Sequence, residues 1–195
     1  ALKPLGPHPA RAVLAAPDAW FADAYGEFRH RFCKGWELAG LLLAARRVLE
    51  EYGSLERAFA AGLSPGDETV MPALCAFGDR LSAAGCPAGH LAPNPNLDSA
   101  CKRWHLYLRW MVRKDAVDPG CWESVPPSLL VVPMDVHMHR VCRSLGFTAR
   151  KAANLKAALE ATEGFRALCP QDPVRYDFCL TKASQAGEKI GPAAG

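Results

Sequence analysis

Apolar residues in this chain recur every three or four positions, in blocks cut apart by proline and glycine, with no convincing alternation. That is the period of an α-helix with one buried face; a half-buried strand would alternate at every second residue. The spacing predicts a helix over 18–33, with Trp20, Phe21, Ala24, Tyr25, Phe28 and Phe32 on one side. A second helix, over 36–51, is apolar nearly all round in its middle, as a central buried helix would be. Gly53 ends it, and Ser54 caps a short helix after it. Ser64-Pro65 with Asp67 and Glu68 opens another, running to about Ala84.

Residues 86–98 hold three prolines among asparagines and read as a loop. Asp98 or Ser99 then caps a helix from about 100 to 114, followed by an irregular stretch over 115–128. The apolar run Leu129, Leu130, Val131, Val132 leads through Pro133 to Asp135, the N-cap of a helix that reaches Leu145 and stops at Gly146. Thr148 caps a helix to about 163, and Asp172-Pro173 opens the last one. The tail from Gly187 to Gly195 reads as flexible. The expected fold class is all-α, with a single domain over 1–186. At 195 residues and 50% hydrophobic, the chain can bury one sizeable core.

A net charge of +3 does not by itself announce nucleic acid, but its distribution says more. Lys102, Arg103, Arg109, Arg113 and Lys114 fall between 102 and 114 with no acid, interleaved with aromatics. Such a run can serve a phosphate backbone or a solvated helix face. The eight cysteines have no pair at C-x-x-C spacing, and several lie in apolar helical text, so structural zinc is not expected. No metal and no cofactor is implied. No signal peptide or membrane-spanning run is visible, which points to a cytoplasmic monomer away from the membrane.

Two side chains carry candidate chemistry. Lys102 lies in the first turn of its helix, where backbone N–H groups and Arg103 disfavour a further positive charge. A lysine must shed its proton to attack carbon. It is also compatible with an ordinary surface lysine. Asp135 is a helix cap whose carboxylate, held by backbone N–H groups, is aimed and ready to stabilise a sugar cation or to deprotonate a nucleophile. His137 and His139 are two apart and point to different faces, which is not metal-ligand spacing. His137 reads as a packed residue, while His139, four after Asp135, can reach a phosphate or the carboxylate.

Pro133-Met134-Asp135-Val136-His137-Met138-His139-Arg140-Val141 resembles the segment that carries the catalytic aspartate in helix-hairpin-helix DNA glycosylases, the endonuclease III-like superfamily. The pattern there is Pro, apolar, Asp, any, His, two of any type, Arg, Val, and every fixed position is met. Lys102, Leu108 and Arg109 resemble a lysine pattern of archaeal 8-oxoguanine (GO) glycosylases, with a similar interval to the aspartate. Across most of its length the chain looks closest to a bacterial family of conserved hypothetical proteins. There are departures. Asn94 to Cys101 lacks the glycine pair of the phosphate-binding hairpin, and the C-terminal four-cysteine iron–sulfur pattern is missing. The helical segment usual before Ala1 is expected to be missing.

The resemblance implies an all-α glycosylase-like domain with an altered hairpin. It implies a base-excision repair glycosylase and abasic-site lyase acting on double-stranded DNA, with the damaged base, such as an oxidised purine, flipped into a pocket. Lys102 would form a Schiff base and Asp135 would stabilise the sugar cation. Arg103, Arg109, Arg113, Lys114, His139 and Arg140 would contact DNA. The alternative is a non-catalytic nucleic-acid-binding protein that keeps the fold.

Overall fold

The computed structural model describes residues 3–97, 99–188 and 190. They fold mainly as α-helices, in two compact units between which the chain passes three times. The first unit takes in the described residues of Ala1–Leu63 together with Pro72–Asn94; the second takes in those of Ser64–Met71 and Pro95–Gly195.

The first unit is built around the helix expected to be central. Helices α1 (Pro9–Ala15) and α2 (Asp18–Tyr25) precede a short hairpin, β1 (Arg29–His30) and β2 (Cys33–Lys34). Then follow α3 (Gly35–Tyr52), α4 (Leu55–Ala60) and α5 (Met71–Ala83). Leu38 and Ala39 of α3 pack with Val13, Phe21 and Tyr25, while Ala44 and Val48 are fully buried further along. Gly53 closes α3 in the left-handed region at φ +77°, its N–H donating to the Leu49 carbonyl at 2.9 Å. Ser54 Oγ caps α4 by accepting from the Arg57 N–H at 3.0 Å.

Two expectations for this part of the chain are corrected, and one helix is added to them. The helix placed over 18–33 stops at Tyr25, and Arg29–Lys34 is an antiparallel hairpin instead. Helix α1, with Pro9 in its first turn, is additional to the helices read from the sequence. Finally, α5 begins at Met71 rather than Ser64. Asp67 Oδ2 accepts from the Ser64 N–H at 2.8 Å, and Gly66 at φ +94° completes a turn that closes on itself.

The second unit holds α6 (Lys102–Val112), α7 (Val136–Ser144), α8 (Leu155–Leu168) and α9 (Asp177–Gln185). Leu129 closes a short 3-10 turn, and Leu130, Val131 and Val132 after it are extended and buried; the Val132 N–H donates to Thr162 Oγ1 at 3.0 Å. Leu108, Met138, Val141, Ala161 and Phe165 supply core side chains from three of the helices. Asn154, not Thr148, caps α8, its Oδ1 accepting from the Ala157 N–H at 3.1 Å. Thr148 instead donates from its hydroxyl to Glu160 at 2.6 Å. Asp172 sits in a turn, and α9 starts five residues later. The expected cap Asp98, and positions 189 and 191–195 of the expected tail, lie outside the described residues. Among the described residues, no helix is long and apolar enough to cross a membrane.

Candidate active site

Lys102 is the first residue of α6, and Asp135 is the N-cap of α7. The two helix starts bring Lys102 Nζ to 2.5 Å from Asp135 Oδ2. The other carboxylate oxygen, Oδ1, accepts from the N–H groups of His137 and Met138, both at 2.9 Å. One oxygen is therefore fixed by the helix and the other is presented to the amine. Burial opposes the charged carboxylate, but the Lys102 ammonium and the two N–H groups outweigh it, holding the Asp135 carboxyl below its ordinary range. Lys102 is 38% exposed in its side chain and Asp135 18%, so the pair is reachable from solvent at the lysine end.

The turn into Lys102 is strained. Cys101, buried, takes φ +43° at the N-cap of α6, a region that residues other than glycine rarely occupy. Its carbonyl accepts from the N–H groups of Trp104 and His105 at 2.9 and 3.2 Å, so the helix starts despite the absent side-chain cap. Before it, Pro95–Leu97 forms a turn and Ser99 bridges to Asn154.

Lys102 also lines a cavity of about 230 Å³ between α6 and α9. Leu106, Trp110 and Phe178 give it apolar walls, and Asp177 and Lys182 give it charge. This is smaller than the ~300 Å³ at which drug-sized sites begin. Burial pushes the Asp177 carboxyl up, against the pull of Arg109, which is bonded to it, and of Lys102.

A family model described as "Protein of unknown function (DUF2400)" matches residues 1–186. The chain belongs to the DUF2400 family. No curated protein and no solved structure matches it.

The remaining residues expected to touch DNA divide into two groups in this DUF2400 chain. Arg109 and Arg113 turn inward and are corrected as phosphate contacts. Arg109 is 4% exposed, donating from Nη2 to Asp118 at 3.0 Å and from Nη1 to Asp177. Arg113 donates to Asp115 at 2.8 Å, to Asp172 at 2.9 Å and to Asp118. Four carboxylates around two guanidiniums leave no charge to offer a phosphate. His139 is likewise buried, its Nε2–H donating to the Arg150 carbonyl at 3.0 Å. Arg103, Lys114 and Arg140 are exposed. Arg140 lines an open concavity with Arg143 and Lys151, and no carboxylate lines it. Neither Arg143 nor Lys151 belongs to the expected set of DNA contacts, and Asp177 carries no expected role. Arg143 lies three residues after Arg140 and shares its helix face, a signal present in the sequence.

Proposed function

We propose that this protein acts on double-stranded DNA as a base-excision glycosylase and abasic-site lyase, with Lys102 as nucleophile and Asp135 as its carboxylate partner. The observation that carries the reading is the Lys102–Asp135 contact, with the carboxylate aimed by the start of α7. The residues around it fit the chemistry. Asp135 takes the ammonium proton, and the freed amine of Lys102 attacks the sugar C1′. The N-glycosidic bond breaks, its electrons leave with the base, and Asp135 passes the proton on to the departing base, which restores the carboxylate. The carboxylate offsets the positive charge that develops on the sugar. Ring opening gives a Schiff base between Nζ and C1′. Proton loss from C2′ then allows the 3′-phosphate to leave, and water releases the lysine.

Borohydride trapping tests this on duplexes carrying an abasic site or 8-oxoguanine. The expected product is a covalent adduct of the intact chain, lost in Lys102→Gln. Asp135→Asn keeps a favourable helix cap but removes the charge. It is expected to slow trapping by about 10²- to 10⁴-fold with little change in melting temperature. An adduct that survives Lys102→Gln, or none in the unaltered protein, overturns the assignment. The concavity lined by Arg140, Arg143 and Lys151, with no carboxylate on it, favours a second reading, a nucleic-acid-binding protein without turnover. Salt-dependent duplex binding with no adduct would select it.

A further inference from the structure

The β1–β2 hairpin of the first unit has no part in the site described above. Its register pairs Arg29 with Lys34 and His30 with Cys33, leaving Arg31-Phe32 as a two-residue turn. Arg31 stands at φ +53°, a position that glycine usually fills in such turns. The turn therefore carries a strained cation where an unstrained residue would serve the fold better. Phe32, beside it, is 78% exposed, its ring 5.6 Å from that of His90 and tilted by 41°. No acid occurs from Phe28 to Trp36. Among the described residues, no carboxylate lies within ion-pairing distance of Arg29, Arg31 or Lys34.

The hairpin is also firmly mounted. Gly35 lies so close to α2 that a Cβ there would fall 1.7 Å from the Tyr25 carbonyl oxygen. The Lys34 N–H donates to Glu37 Oε2 at 2.7 Å, and the Phe28 N–H donates to the Tyr25 carbonyl at 2.9 Å. A rigid stem thus carries one aromatic ring at its tip and cations on both strands.

We propose that this hairpin is a DNA-contacting element, in which Phe32 stacks into a break in the base stack and Arg29, Arg31 and Lys34 hold the phosphates on either side. Cations bind the backbone whatever its sequence. An aromatic ring stacks where a base is missing or extruded, since every neighbouring base offers a π-face. Phe32 is the single apolar side chain of the two-residue turn, whereas a lipid surface takes a broad apolar face. The inference rests on DNA as the partner and does not depend on Lys102 chemistry.

The test uses the full chain with two labelled duplexes, one intact and one carrying a tetrahydrofuran abasic analogue, which cannot form a Schiff base. The unaltered protein is expected to prefer the abasic duplex. Phe32→Ala should lose affinity for it by roughly 5- to 100-fold, while Phe32→Trp retains it. Replacing Arg29, Arg31 and Lys34 by Gln should weaken both duplexes alike and flatten the salt dependence by about 0.9 for each phosphate no longer neutralised. A Phe32→Ala protein that keeps the preference overturns the proposal, as does an unaltered protein with none. Phe32-dependent binding to phosphatidylserine vesicles without duplex discrimination also overturns it. If the Phe32-dependent preference holds while borohydride trapping fails, the hairpin proposal stands and the lysine mechanism falls; the converse result reverses that judgement.

Discussion

At the scale of single residues, His105 is the most exposed to test, because its environment has a simple consequence. It is buried on α6, and among the described residues neither ring nitrogen finds a hydrogen-bond partner. Burial pulls its pKa down to about 4 from the ordinary value near 6.5. The unfolded chain therefore binds a proton between those values that the folded chain refuses. Stability is full above the unfolded value and is lost as pH falls from there towards the folded one. The loss between pH 8 and pH 5 is expected to be about 2 kcal/mol from this group. Urea titrations of His105→Leu should show that increment removed, with the gain over the unaltered protein larger at pH 5 than at pH 8. An equal difference at both pH values would contradict the burial argument. Asp135 is readable as a cap from sequence, because an Asp followed by a helical apolar stripe is a local signal. Lys102 is not readable in that way. Its role enters through resemblance, and its partner lies 33 residues further along.

At the scale of elements, α6 shows what the sequence pattern conceals. Five cations without an acid look like a phosphate-binding face, yet two of them are the centre of an internal ion-pair network. Its carboxylates come from positions 9, 59 and 68 residues away, as well as from nearby, and no local period reports such partners. Removing one member leaves buried charge unpaired. Arg109→Ala is expected to destabilise the fold by about 3–5 kcal/mol, because the buried Asp177 then loses the guanidinium bonded to it and Asp118 keeps only Arg113. Arg109→Lys should recover only part, since an ammonium cannot reproduce the fork of donors. Equilibrium unfolding checks both, and a near-neutral Arg109→Ala would show the network to be dispensable. The hairpin is concealed for a different reason. Phe28 and Phe32 continue the helical spacing of Trp20, Phe21, Ala24 and Tyr25, so periodicity carries the predicted helix past the point where the backbone leaves it.

At the scale of the whole molecule, the helical class is legible in the spacing of apolar residues, but the two units are not. The chain passes between them at 63–64, 71–72 and 94–95, and only the last crossing falls in a proline-rich stretch. Charge placement is legible only in part, since the exposed cations of the second unit include Arg143 and Lys151 beside Arg140. If these bind phosphates, replacing all three by Gln should lower the slope of log K against log salt for duplex binding by about 2–3. An unchanged slope would show that these three residues neutralise no phosphate. Lys102, held by Asp135, is proposed as the residue that bonds to the sugar. The most direct measurement is peptide mapping of the borohydride-reduced adduct formed on an abasic duplex. The sugar mass is predicted on the peptide containing Lys102, at Nζ; an adduct confined to another amine of the chain would contradict the claim.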